Sequence, residues 1–316
     1  MDNLTNRRTL IEQLATLSSG TSLLSSKVSA AQQVNPPQMT LGFSTYGMPK
    51  MPTEAALRIV SEVGFDSVEI VVREGWDADS AKLSGARLKS IRSELVRQNL
   101  RLRSLMEHVF PTSAKSNVKA LRRLKLAANV AHELSPDSLP IVQTVLGSGD
   151  FGSKKNELVD LLGAWAELSE SESIVICIKP HRGGIVSRPA EAVWLLEQLK
   201  FPTALKMVYD YSHYVFRGIS VRESLENSGN CIAHVAVKDT KLNGEKAVFQ
   251  LPGEAGSIDY PEILRYLKAA NYSGDINCEV SGMVSSQSGY DPVRAANICY
   301  KYMARVFEQT EIARPS

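Results

Sequence analysis

From residue 39 onward, short apolar runs alternate with longer stretches whose apolar positions recur at helical spacing. Residues 39–44 form the first run, and a helix is expected over 53–63, stopped by Gly64. The second run is 65–72, followed by a helix over 87–98. A third run at 100–106 precedes a helix over 117–134, and a fourth at 139–146 precedes one over 154–168. The fifth run is 173–179; Ser187 is the expected cap of the next helix, with Pro189 in its first turn and an end near Leu199. The sixth run, 205–210, leads to a short helix over 221–227. The seventh is 231–239, and 240–259 reads as a long Gly-rich excursion. A helix over 261–270, an eighth run at 275–280 and a closing helix over 292–309 complete the chain.

Eight such β–α units predict a (β/α)₈ barrel spanning 39–316. An open doubly wound sheet shares the alternation, and the count of eight favours closure. No Gly-x-Gly-x-x-Gly follows a strand, so nothing points to a dinucleotide crevice.

The first 38 residues break this pattern. Asn6-Arg7-Arg8-Thr9-Leu10-Ile11 sets paired arginines before a small-residue, Ser-rich stretch ending Val28-Ser29-Ala30-Ala31. Residues 1–31 read as a twin-arginine-type export signal, so a periplasmic location is expected, with a cytoplasmic protein carrying an N-terminal tail as the alternative. Residues 32–38, with Pro36-Pro37, read as a linker.

Composition narrows the functional classes. The 316 residues carry 36 Lys+Arg against 34 Asp+Glu, a net charge of +2, which gives no whole-chain argument for a nucleic-acid partner. No run reaches the length of a membrane span, so stable membrane insertion is not expected. Cys177, Cys231, Cys278 and Cys299 lack metal-knuckle spacing and read as buried thiols.

Barrel enzymes build their sites at the C-terminal ends of the strands. The fifth run ends Ile178-Lys179-Pro180-His181-Arg182. The sixth ends Tyr209-Asp210-Tyr211-Ser212-His213-Tyr214. The seventh reads His234-Val235-Ala236-Val237-Lys238-Asp239, and the eighth Asn277-Cys278-Glu279-Val280. Period-two alternation aims Lys179, Asp210, Glu279 and the set His234, Ala236, Lys238 inward. A cation and two carboxylates therefore converge on one mouth, where they pair with each other or with a ligand. His181 and His213 flank it and are candidate proton carriers. Lys238 is a candidate substrate ligand, or forms a strand-end ion pair with Asp239 or Glu254. Glu69, Glu107, His108, Gln143, His234 and Glu254 are further candidate pocket residues. Tyr46, Trp76, Tyr211 and Tyr214 are candidate flat apolar walls.

These strand ends resemble the sugar phosphate isomerase/epimerase family of xylose isomerase-like TIM barrels. The resemblance runs from about Leu41 to Phe307. It includes Gly64-Phe65-Asp66-Ser67-Val68-Glu69, the segment from His234 to Asp239, Gly253-Glu254-Ala255-Gly256 with Ser257-Ile258-Asp259-Tyr260, and Glu279. It implies a divalent metal held by a Glu, an Asp, a His and a Glu on strands five to eight. Asp210 and Glu279 match; Lys179 replaces the first Glu, and Ala236 replaces the His. A metal beside Lys179 would meet like-charge repulsion of about 4 kcal/mol at about 4 Å. The expectation is therefore no metal, with Lys179 in its place, and a metal at Asp210 and Glu279 as the alternative that the resemblance implies. Lys179, Asp210, Glu279, His181 and His213 are the expected catalytic set.

The expected activity is proton transfer next to a carbonyl of a small carbohydrate or hydroxy-carbonyl compound, as an isomerase or epimerase. A sugar lyase or dehydratase on the same scaffold and a non-catalytic carbohydrate-binding barrel are the alternatives. The apurinic-endonuclease branch needs more histidine and carboxylate ligands than the chain's five histidines and this mouth supply.

Overall fold

The computed structural model of the chain describes residues 38–244 and 246–315. The export signal read over 1–31, and the linker up to residue 37, lie outside the described residues.

Seven strands, β1 (Thr40–Ser44), β2 (Ser67–Val71), β3 (Arg101–Met106), β4 (Ile141–Thr144), β5 (Ile176–Ile178), β6 (Leu205–Tyr209) and β7 (Ile232–Val237), precede a hairpin of β8 (Asp239–Asn243) and β9 (Lys246–Gln250). The last barrel strand is β10 (Asp275–Cys278). The helices are α1 (Thr53–Val63), α2 (Gly85–Arg97), α3 (Ala114–Leu134), α4 (Phe151–Ser171), α5 (Pro189–Gln198), α6 (Val221–Ser228), α7 (Tyr260–Ala269), the single turn α8 (Gly282–Ser285) and α9 (Pro292–Gln309). Strands β1 to β7 pair in sequence order, and β10 closes the circle between β7 and β1, all in parallel. Closure excludes the open doubly wound sheet.

The local signals explain these elements. Helix α1 buries Ala56, Leu57 and Val60 on one stripe, and each large apolar side chain so covered contributes about 1.5–3 kcal/mol. Gly64 ends it at φ +107°, where a Cβ would lie 2.9 Å from the Tyr300 ring. Asp291 starts α9 by accepting the Val293 and Arg294 N–H groups.

Two local expectations need correction. Ser187 does not cap α5. Its N–H and hydroxyl donate to Glu191 at 2.7 and 3.3 Å, and the cap position is Arg188. A carboxylate three residues into a helix accepts from the preceding amides better than a hydroxyl does. The stretch 240–259 is more than a Gly-rich excursion, because β8 and β9 pair antiparallel, with Asn243 opposite Lys246. Gly244 takes φ +60°, the conformation that a tight hairpin turn requires.

The barrel interior is divided. On one side Cys177, Val208 and Ala236 pack as a small apolar cluster. On the other, Glu69 accepts from Ser44 at 2.6 Å, Ser104 at 2.7 Å, Asn277 at 3.3 Å and the Gln143 amide. A register shift between β2 and β3 sets Ser104 opposite Glu69, and one between β6 and β7 sets His234 opposite Val208. Trp165, Phe43, Leu41 and Ile70 belong to the large core between barrel and helices. All four cysteines are buried free thiols. No helix among the described residues is long and apolar enough to cross a membrane.

Candidate active site

A cavity of about 230 Å³ opens at the C-terminal ends of the strands. Its lining includes Lys179 after β5, Lys238 after β7 and Glu279 after β10. Lys179 Nζ lies 2.6 Å from Glu279 Oε2 and 2.9 Å from Asp210 Oδ2. Lys238 Nζ lies 2.8 Å from Glu279 Oε1 and also pairs with Asp210 Oδ2. The four side chains form a closed ring of alternating charge, each between 0 and 8% exposed. Asp210 backs the ring from outside the cavity wall, its other oxygen taking the Ser212 hydroxyl at 2.5 Å. This corrects the expected strand-end pairing of Lys238 with Asp239 or Glu254. Asp239 instead accepts the Ala255 and Gly256 amides of the following loop.

The ring holds its own protonation state. Burial works against the Lys179 ammonium, but Asp210 and Glu279 more than offset it and raise its pKa. Burial likewise works against both carboxylates, yet Lys179 and Lys238 hold each well below the usual carboxylate range. An ammonium has three N–H donors. Each lysine commits two of them to the ring, so one remains on each, and both lysines line the cavity.

The other walls come from β3, β4, β5 and the hairpin. His108, His181 and Gln143 face the cavity, as does Glu107. Burial, aided by the Arg73 cation for His108 and by Lys179 and Lys238 for His181, lowers both imidazoles to about 4, so both are neutral at pH 7. Tyr46 lines the mouth and stacks on Trp76, with ring centroids 5.3 Å apart. Phe249 of β9 closes one side beneath the Arg182 guanidinium.

Several candidates sit elsewhere. His213 is fully buried behind His181, its ring centroid 4.2 Å away. The Arg182 N–H donates to its Nδ1, which leaves the ring proton on Nε2, 3.4 Å from Asp210. Glu69 and His234 lie beneath the cavity in the barrel interior, 3.6 Å apart. Burial raises Glu69 and lowers His234 to about 4. Glu254 is exposed and accepts the Leu251 N–H. Tyr214 is buried and Tyr211 donates to the Ile219 carbonyl, so both serve packing rather than a sugar wall.

Arg73, Phe249 and Ser281 are among the lining residues that the sequence reading did not name. Arg73 follows directly on the second run, a strand-end cation as legible as Lys179. Phe249 was hidden by the missed hairpin, for which Asn243-Gly244 was the available signal. Ser281 lies two residues past Glu279.

The ring does not fit a divalent ion. The two carboxylates that would bind it already hold two ammonium groups, and Ala236 stands where an imidazole would be needed. Among the described residues, no group of three or more His, Cys, Asp or Glu is placed to hold a metal.

A closed parallel barrel with a small polar cavity at its C-terminal face belongs to the enzyme-bearing TIM barrels. Its lineage is given by sequence: the pattern of the xylose isomerase-like TIM barrel family matches residues 57–296, and the chain belongs to that family. An inosose dehydratase of Clostridium tetani is 27% identical over 172 residues, covering 50% of this chain and 54% of that protein. One from Geobacillus thermodenitrificans is 30% identical over 132 residues, covering 37% and 44%. The chain thus spans about half the length of these curated relatives. Among solved structures, E. coli 3-keto-D-glucoside 4-epimerase aligns with TM-score 0.67 at 13% identity, covering 85% of this chain and 100% of that one. D-psicose 3-epimerase, solved in the presence of D-fructose, aligns at 0.69 and 14%, covering 86% and 99%. A zinc-bound IOLI protein aligns at 0.70 and 16%, again covering 86% and 99%. At these identities the structural likeness establishes the fold.

Proposed function

We propose that this barrel is an isomerase or epimerase acting on a small carbohydrate, moving a proton at a carbon next to the carbonyl, with two lysine ammonium groups in place of a divalent cation. The observation that carries the reading is that Lys179 and Lys238, both held by Asp210 and Glu279 and each with a donor to spare, line the cavity. Removing the proton drives negative charge onto the carbonyl oxygen. Preorganised donors that meet that charge stabilise the enediolate, and such donors are worth about 10²–10³ in rate each. Asp210 and Glu279 fix the lysines in place, so little reorganisation accompanies the reaction. Dehydration is the second reading. It begins with the same enolate, and the two inosose dehydratase relatives favour it.

The test is deuterium incorporation from D₂O at the carbon next to the carbonyl, across a panel of ketoses, aldoses and 3-keto-sugars, in EDTA. At least one sugar should exchange, and Lys179→Met and Lys238→Met should each lower kcat/KM by about 10²-fold or more. Epimer and dehydrated product are separated by mass. Exchange that vanishes in EDTA and returns with Mn²⁺ would overturn the lysine assignment. Tight sugar binding with no exchange at all would leave a carbohydrate-binding barrel.

A further inference from the structure

The ring that supplies the oxyanion donors is poorly suited to take the proton. Each oxygen of Glu279 faces an ammonium, at 2.6 and 2.8 Å. A proton added there would displace one of those contacts and leave two buried ammonium groups facing the single charge of Asp210. Asp210 lies behind the lysines. The cavity wall holds a second carboxylate in a different condition.

We propose that Glu107, at the end of β3, is the general base, and that Arg123 of α3 is its positioning residue. Arg123 Nε and Nη2 both donate to Glu107 Oε2, at 3.0 and 2.6 Å. The guanidinium is itself fixed by Asp79 at 2.8 Å and by the Val72 carbonyl at 2.7 Å. One oxygen is therefore pinned from behind. The other, Oε1, accepts only the His108 N–H, at 3.0 Å, and keeps a lone pair free on a residue that lines the cavity. Burial pushes the Glu107 carboxyl above its usual range, partly offset by the His108 amide and Arg123, the direction a useful base requires. Glu69 is also buried and raised, but four side chains saturate it and it lies beneath the cavity wall.

The step balances without a co-reactant. Glu107 Oε1 takes the proton from the carbon next to the carbonyl. The C–H electron pair becomes the enediolate double bond, and the carbonyl π pair moves onto the oxygen that faces Lys179 and Lys238. Returning the proton to carbon restores the carboxylate.

This inference rests on the proton-transfer reading above, and the same exchange assay separates the two. With a sugar that wild type exchanges, Glu107→Gln should lose deuterium incorporation by about 10³-fold while sugar affinity stays within a few-fold. Glu107→Asp, which keeps the charge opposite Arg123, guards against a folding defect; it should fold and lose kcat far more than KM. Added formate should restore part of the exchange in Glu107→Ala, because a free carboxylate can occupy the vacated place beside Arg123. Wild-type exchange in Glu107→Gln would overturn the assignment. Failure of wild type to exchange any sugar would remove the proton-transfer reading itself, and this inference with it.

Discussion

Replacing Lys179 by Met tests the ring directly. The substitution keeps the side-chain length and removes one charge, leaving Lys238 between two buried carboxylates. Lys179 is 4% exposed and contacts Glu279 and Asp210 at 2.6 and 2.9 Å, so both carboxylates lose a close partner in a poorly screened setting. Breaking a buried pair by deleting one member costs about 3–5 kcal/mol. Lys238 still contacts both acids, which places the expected loss near 3 kcal/mol. At about 2–4 °C per kcal/mol, Tm should fall by about 6–12 °C at pH 7.5. The pH dependence identifies the cause. In wild type both carboxylates are held low, so the ring's contribution is full at neutral pH and is lost only as pH falls below the ordinary carboxylate range. In the variant one carboxylate of the facing pair has a raised pKa, so the folded variant takes up a proton as pH falls from neutral, and its deficit against wild type shrinks. The deficit should close by about 1.4 kcal/mol per pH unit while pH lies between that raised value and the ordinary one. Urea midpoints for both proteins at pH 7.5, 6 and 5 measure this. Equal stability at pH 7.5, or a deficit independent of pH, would mean that the ring is not an electrostatic unit.

The double variant Lys179→Glu with Ala236→His should restore a four-ligand set with Asp210 and Glu279, and calorimetry should then detect Mn²⁺ or Zn²⁺ binding absent from wild type; no binding would show that Lys238 still blocks the site. The paired Arg7 and Arg8 before a small-residue stretch predict removal of the N-terminal segment, so mass spectrometry of protein from its native host should find a mature terminus between about Ala30 and Gln33, and recovery of intact Met1 in the cytoplasmic fraction would refute export.

The fold was legible because each strand and helix carries its own local period, and eight β–α units have few ways to pack. Period two sets Cys177, Val208 and Ala236 on one face, and these three pack together inside the barrel, below Lys179, Asp210 and Lys238. What alternation cannot supply is depth along the barrel axis. Glu69 and His234 point inward like the ring residues but lie a layer lower, so reading them as pocket residues followed from direction without height. The partner of Lys238 was equally hidden. Asp239 and Glu254 are close in sequence, whereas Glu279 is 41 residues away and meets Lys238 only through β7–β10 pairing. Arg123 was illegible for a different reason: it sits mid-helix among solvent-facing basic residues, and only the packing of α3 back onto β3 turns it onto Glu107.

The charge ring also limits which sequences this lineage can reach. On the four-ligand pattern that the family resemblance implies, a metal-binding barrel would differ at positions 179 and 236, and neither change would be neutral alone. Glu at 179 on its own gathers three carboxylates around one ammonium. His at 236 on its own forces an imidazole into the tight layer of Cys177 and Val208. Each single step crosses a stability deficit that the second step is needed to relieve, so the ring makes the two positions strongly epistatic. A descendant that acquired a metal would have to change both nearly together, or first weaken the ring at Lys238, which touches both carboxylates.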